Sequence, residues 1–283
     1  VLKTVRQYSS MPIAIQLAHA GRKASTSAPW QGGGLLTETD GGWQTYSASA
    51  QAFNSANPAP VALDKVGLAR VREAFVQAAL RSHRLGFDAI EIHAAHGYLL
   101  HQFLSPLSNL RDDEYGGTLA NRMRFPLEVF SAIRAALPVD SVVGIRVSAT
   151  DWVAGGWEIE QCIEFAKALK QAGASFIHVS SGGLSSLQSI AATPNYQVRF
   201  AEQIRAATGL PSIAVGLITE AEQAEAIVAS GQADLIALAR GIMYDPHWPW
   251  HAAAKLGASV EVPPQYLRSN PAGLSKLLVP MQW

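Results

Sequence analysis

Cysteine is nearly missing from this 283-residue chain, Cys162 being the only one. One thiol cannot close an internal disulfide or build a Cys-rich metal site. A reducing, cytoplasmic setting is the default for such a chain. Charge is sparse too. Charged residues make up 16% of the sequence, and 22 basic residues balance 22 acidic ones with no long like-charge run. That leaves no electrostatic footprint for nucleic acid or for an anionic membrane. No apolar run is long enough to span a bilayer, and no signal peptide is visible. No G-x-G-x-x-G follows a strand, so a dinucleotide-binding Rossmann domain is poorly supported. Internal repeats and low-complexity segments are also lacking.

What is present is an alternation of two periods. Short β-branched runs bounded by turn residues predict strands at Ile13 to Ala18, Ala89 to Ala94, Val142 to Ser148, Phe176 to Ser181, Ser212 to Gly216 and Leu235 to Arg240. Amphipathic stretches between them predict a helix from an Asp64 N-cap to Leu85, stopped by Gly86. Further helices are expected over about 118–137, 158–172, 195–208 and 219–230. Strand followed by helix, repeated, means βαβ units and a parallel sheet. One domain over residues 1–283 is expected, with two irregular parts: a Gly-, Ser- and Ala-rich excursion at 24–62 and a C-terminal tail at 262–283. Long excursions after strands build the functional face of α/β barrels.

Side chains alternate along a strand, so Gln16, Glu91, His93, Arg146, His178 and Ser180 fall on one set of faces. The opposite set (Ile13, Ile15, Ile90, Ile92, Ile145, Val147) is aliphatic and suits contact with helices. Polar residues near the ends of many strands, with Arg240 at the last, fit the rim of a TIM (β/α)8-type barrel better than an open sheet. In "EIHAAHGYLLHQFLSP" (Glu91 to Pro106), His93 and His96 leave three readings open: a metal, a packed core pair, or two N–H donors on one substrate oxygen. The zinc motif H-E-x-x-H spaces its histidines four apart with a Glu between, and here Ala94 and Ala95 intervene. Two donors with the Tyr98 phenol nearby suit a reaction that builds charge on a carbonyl oxygen and then protonates carbon. His101 is read as packing. Arg146 calls for an anion or for Glu91 as ion-pair partner. Gly216 and Arg240 lie where barrels bind phosphate, after the last two strands, with a surface cap as the plainer reading of Arg240. Arg111, Asp112, Asp113 and Glu114 read equally well as a solvated loop, and Trp248 and Trp250 as packing.

Four stretches carry a family resemblance: "IQLAHAGRKAS" (Ile15 to Ser25), the long block from Gly86 to Phe125, "IRVSATDW" (Ile145 to Trp152) and "ADLIALARGIMYDPHWP" (Ala233 to Pro249). With them the chain resembles the Old Yellow Enzyme family of flavin ene-reductases, closest to its thermophilic-like and xenobiotic reductase branch. The resemblance implies an oxidoreductase that binds FMN non-covalently, takes hydride from NADPH or NADH, and reduces the C=C bond of enones, enals, maleimides or nitroalkenes. By that pattern His93 and His96 hold the substrate oxygen and Tyr98 donates the proton. Gln16 and Arg146 meet the flavin's pyrimidine edge, and Ser181, Gly182, Gly216, Ala239 and Arg240 meet its ribityl-phosphate end. Ala239 stands where the family more often has Gly, and its N–H is still available. "PPQYLRS" (Pro263 to Ser269) resembles a segment whose Arg, here Arg268, enters a neighbouring subunit's site. A homodimer or homotetramer is implied, with no nucleic-acid or membrane partner.

The front of the chain departs from the family pattern. Only six strand candidates are found, and "IAIQLA" matches the family's third. The resemblance therefore implies that two preceding strands, about eighty residues of a barrel of ~250, are not in this sequence. Among them would be a flavin-contacting Cys or Thr and a substrate-contacting Tyr. "LLVPMQW" near the C-terminus echoes the corresponding run faintly and lacks its Cys. Two alternatives to the ene-reductase follow: a truncated, catalytically silent barrel that binds flavin poorly, and a flavin-free barrel isomerase or aldolase. The last ranks lowest because no strand candidate ends in lysine. The family's iron–sulfur branch is disfavoured by the single cysteine.

Overall fold

Period-two β-branched runs become strands here because one face of each is wholly aliphatic and must be buried. The computed structural model describes residues 1–281. Its main sheet holds six parallel strands in sequence order: β1 (Ala14–Leu17), β2 (Ala89–Ala94), β3 (Val142–Ser148), β4 (Phe176–Ser180), β5 (Ser212–Val215) and β6 (Leu235–Ala237). This is an open arc of a TIM-type barrel. Among the described residues β1 and β6 do not pair with each other, so both are edges. Crossovers run through α1 (Lys65–Arg84), α2 (Leu119–Ala136), α3 (Ile159–Gln171), α4 (Val198–Thr208) and α5 (Ala221–Ala229), and α6 (Trp248–Leu256) follows β6. Gln282 and Trp283, the end of the expected tail, lie outside the described residues.

Local chemistry fixes the helix ends. The Asp64 carboxylate accepts the Gly67 N–H at 2.7 Å at the start of α1. Glu220 and Gln223 form a reciprocal capping box at α5. α4 starts at Val198, later than the sequence period suggests, because Asn195 is left-handed (φ 66°) and breaks the turn. β6 stops at Ala237 and not Arg240. Ala239 leaves the extended region (φ −117°, ψ −82°) and Arg240 opens a short helix to Tyr244. The tail from 262 is more ordered than expected. Val260–Val262 pairs in parallel with Leu278–Pro280, over a small cluster of Ala253, Val262, Leu277 and Leu278. Trp248 and Trp250 are packing, as read: the Trp248 indole N–H donates to Thr219 O, and Trp250 lies against His247 and Tyr266. No helix among the described residues is long and apolar enough to cross a membrane.

The helix-facing sides of the strands make the core. Ile90, Ile92, Ile145, Val147, Ile177 and Val179 are buried against Phe125, Val129, Phe130, Phe165 and Ile204. Each such aliphatic side chain contributes about 1.5–3 kcal/mol by leaving water. The other side of the sheet carries the polar rows. Register aligns Gln16 with Glu91, Glu91 with Gly144, and Gly144 with Phe176. A Cβ on Gly144 would lie 2.4 Å from the Phe176 ring, so this glycine leaves the space the ring fills. The excursion at 24–62 is held down by arginines. Arg22 Nη1 donates to Gln51 O and Ala52 O, and Arg111 Nη1 donates to Ala48 O at 2.9 Å and Leu63 O at 2.7 Å. Arg111 also forks onto Asp113, so this charged run does more than face solvent.

Gly144→Ala is expected to destabilise the fold by about 1–3 kcal/mol through overpacking. Phe176→Leu in the same chain should recover part of that loss. Chemical denaturation of the two single variants and the double variant checks it, and additive effects would show that the two sites do not touch.

Candidate functional site

The polar rows reach their functional density at the C-terminal ends of β2, β3 and β4. Register there aligns His93 with Arg146 and Arg146 with His178. One step deeper, Glu91 accepts from the Gln16 amide and lies 2.9 Å from His178 Nδ1. Burial alone would raise the Glu91 carboxyl, but His178 and Gln16 outweigh it and hold the pKa below the ordinary range. The Glu91–Arg146 ion pair considered from the sequence is not formed. Glu91 spends its oxygens on His178 and Gln16, and Arg146 feels it only through space. Arg146 Nε is buried without a partner among the described residues, and burial lowers the guanidinium pKa. A buried donor in that state calls for an electron-rich neighbour.

His93 and His96 come together at the mouth of this row. Their rings meet edge-on with centroids 5.2 Å apart, and His93 Nε2 faces His96 Nδ1 at 3.3 Å. The His93 ring is fixed by the Ala95 N–H, which donates to its Nδ1 at 3.2 Å. His96 sits in a left-handed turn (φ 54°) that is costly for a side-chain-bearing residue and must be held by its surroundings. Four contacts hold it. The His96 N–H donates to Ser148 Oγ at 2.9 Å, and Lys23 Nζ donates to His96 O at 3.0 Å and Gly183 O at 2.9 Å. Gln102 Nε2 donates to Gly97 O at 2.6 Å. Gly97 (φ 72°) and Gly183 (φ 87°) meet back to back, and a Cβ on Gly97 would lie 2.3 Å from Gly183 O. Tyr98 stacks on His93 at 4.8 Å, and Lys23 Nζ lies 5.7 Å from the Tyr98 ring centroid.

His101, assigned to packing from the sequence, is buried and also polar in its role. The Gly97 N–H donates to His101 Nδ1 at 2.9 Å, and His101 Nε2 lies 2.9 Å from Asp151 Oδ1, oblique to a good hydrogen bond. Asp151 also accepts from Ser105 Oγ at 2.6 Å and the Trp157 N–H at 2.8 Å. Burial pushes the Asp151 carboxyl up, but His101 and these donors outweigh it, so its pKa is lowered. The couple ties the loop after β3 to the His96–Gly97 turn. Sequence reading missed this role of Asp151 and that of Lys23. Their only signal was a polar residue close behind a strand end.

The far end of the site is a cavity of about 500 Å³. Ser180, Gln197, Gly216, Ala239 and Arg240 are among its lining residues, so three of the expected phosphate-end residues converge there. Ser181 and Gly182 do not line it. Ser181 Oγ donates to Gln197 Oε1 and accepts the Trp152 indole N–H at 2.8 Å. Gly182 exchanges its backbone groups with Thr150 and Ser148. Arg268 is exposed, on a 3-10 turn packed against the Leu278–Pro280 strand. Cys162 is wholly buried and its thiol is pushed up to about 12, so it is inert. Among the described residues no three His, Cys, Asp or Glu side chains cluster as a metal would need.

Burial, then the positive charge of Arg146, lowers the His93 pKa to about 4 and that of His96 to about 2. Both rings are therefore neutral at pH 7. The unfolded chain binds protons near pH 6.5 while the folded His93 waits until about 4. Stability from the pair is full above pH 6.5 and is lost as pH falls, through about 4 for His93 and on towards about 2 for His96. Denaturation midpoints measured across that window should fall with pH, and His93→Asn with His96→Asn should flatten the slope. An equal slope in the variant would mean that other groups carry it.

The profile of the NADH:flavin oxidoreductase / NADH oxidase family matches residues 1–258. A curated NADPH dehydrogenase of Geobacillus thermodenitrificans is 42% identical over 256 residues, which are 90% of this chain and 70% of that protein. Among solved structures, morphinone reductase superposes with a TM-score of 0.71 at 27% identity, over 98% of this chain and 75% of the other. A 2-naphthoyl-CoA reductase complex superposes with a TM-score of 0.73 over 87% of this chain. Only 38% of that longer chain is covered, and at 24% identity the likeness is one of fold. A family profile over nine-tenths of the chain, together with close relatives at this coverage, shows that the chain belongs to the Old Yellow Enzyme-like NADH:flavin oxidoreductase / NADH oxidase family.

Proposed function

We propose that this chain is an FMN-dependent NAD(P)H oxidoreductase that reduces C=C bonds conjugated to a carbonyl or nitro group. The observation that carries the reading is the pair of neutral imidazoles facing each other at 3.3 Å, one register step from a half-buried guanidinium whose buried Nε has no partner among the described residues. The residues present fit the cofactor. Arg146 lacks a partner that the electron-rich edge of a flavin ring would supply, and Gln16 lies on the neighbouring row. Arg240 and the backbone at Gly216 and Ala239 border a cavity at the other end that suits a phosphate. FMN, when bound, supplies hydride transfer from a nicotinamide donor to a substrate carbon.

The protein's share is orientation, charge and one proton. His93 Nε2 and His96 Nδ1 are placed to grip an oxygen on which negative charge grows. Neutral rings keep that oxygen unprotonated, since neither gives up a full proton near pH 7. Tyr98 presents a phenol beside His93 as donor to the carbon next to the activating group, and Lys23 lies near enough to offset the charge left behind. Arg146 would hold the electron-rich edge of the flavin and offset negative charge there. The choice of alkene, and a homodimer or homotetramer with Arg268 at a neighbour's site, are parts of this proposal that rest on family resemblance, and a cytoplasmic setting rests on the single cysteine.

A second reading has its own observation. Among the described residues Gln16 is exposed and the outer edge of β1 is unpaired, so an open arc that holds flavin weakly also fits.

The visible spectrum separates the two. Purified protein with added FMN should retain a yellow chromophore after gel filtration, and NADPH should bleach it. Loss of all colour would sink the activity. His93→Ala with His96→Ala should weaken binding of a phenolate ligand by about 100-fold or more, as two hydrogen bonds to a charged oxygen are lost. NADPH bleaching should persist in that variant.

A further inference from the structure

The two imidazoles face each other at a distance that already is a hydrogen bond, so a substrate oxygen cannot be gripped by both until one ring proton moves. His93 Nδ1 accepts the Ala95 N–H at 3.2 Å, which puts the proton of the neutral His93 ring on Nε2. That proton points at His96 Nδ1, 3.3 Å away. With no ligand, His96 must therefore accept at Nδ1 and carry its own proton on Nε2. His96 Nε2 lies 2.7 Å from Ser180 Oγ, which takes it. In that state the pair offers an incoming oxygen one N–H, already engaged, and no second donor.

Two donors appear only if the His96 proton shifts to Nδ1, leaving Nε2 as an acceptor that needs a donor. Ser180 is the group in contact with it. A hydroxyl both gives and accepts, so the same short contact serves either tautomer. The Ser180 proton is also lightly committed. Its other partner, Gln197 Oε1, is 3.4 Å away and already receives the much closer Ser181 hydroxyl. Gln197 is itself anchored by Nε2 donating to Val215 O at 2.8 Å, so that acceptor stays in place.

We infer that Ser180 is a positioning residue that switches the His96 tautomer, accepting from Nε2 in the free site and donating to it when an anionic oxygen is bound. The balance is closed on the ring: the proton leaving His96 Nε2 passes to water, water returns one to Nδ1, the Ser180 hydroxyl turns from Gln197 to His96, and the tautomer change itself adds no net charge. Ring neutrality is a condition of this device, because an imidazolium would carry both protons and need no switch. The burial and the Arg146 charge that keep His96 neutral supply that condition. The switch rests on the substrate-oxygen role proposed above.

Long-range 1H–15N spectra of the imidazoles in the purified protein read the tautomers directly. Without ligand, both His93 and His96 should carry their proton on Nε2. Any other free-state pattern overturns the inference alone, with no ligand involved. Adding 4-hydroxybenzaldehyde, as a phenolate probe, should move the His96 proton to Nδ1. Probe binding with the His96 proton left on Nε2 overturns the switch and spares the functional reading. Failure of the probe to bind at all overturns both. Ser180→Ala should weaken phenolate binding about 3- to 10-fold, the worth of one hydrogen bond, with Ser180→Thr restoring both the affinity and the tautomer change. A Thr variant as weak as Ala would mean that the hydroxyl is not what matters.

Discussion

Holding the Arg146 guanidinium half-buried, with its Nε out of reach of water, is the constraint on which the site turns. It sits in the same register row as His93 and His178, inside a half-closed sheet. Burial lowers the proton affinity of His93 and His96, and a nearby charge that cannot be given up lowers it further. Glu91 lies one row deeper and offsets part of the field without touching it. An arginine left with an empty Nε is a poor arrangement for stability taken alone. It makes sense where an electron-rich ring completes it, which is the use the flavin oxidoreductase family offers.

The periodic half of this architecture was legible in the sequence. Alternation placed His93, Arg146 and Ser180 on the inner faces and the isoleucines on the outer ones, and the register agrees. What sequence could not give was which polar groups would choose each other. Glu91 and Arg146 looked like natural partners by charge, yet pairing is decided by row, and Glu91 meets His178 and Gln16 instead. The family resemblance puts Ser181 at the phosphate end, and the cavity there is lined by Ser180. One step past the strand the Ser181 side chain turns to Trp152 and Gln197, while Ser180 keeps the inward face. α6 escaped notice because two prolines surround its start. Pro249 lies in the first helical turn, where a missing N–H is no loss.

Polar residues behind the His96–Gly97 turn do much of the positioning. Lys23 bridges the carbonyls of His96 and Gly183, and His101 with Asp151 ties the loop after β3 to the Gly97 turn. Each is a long-range contact between segments far apart in the chain. A left-handed histidine is tolerable only because so many of these converge on it.

The back-to-back contact of Gly97 with Gly183 leaves no room for even a methyl group on either side. The loops after β2 and β4 are thus geometrically one part, though over eighty residues separate them. For protein engineering this sets the unit of exchange. A substrate loop borrowed from another barrel would have to come with its partner loop, or the two backbones would collide before any new specificity could be expressed.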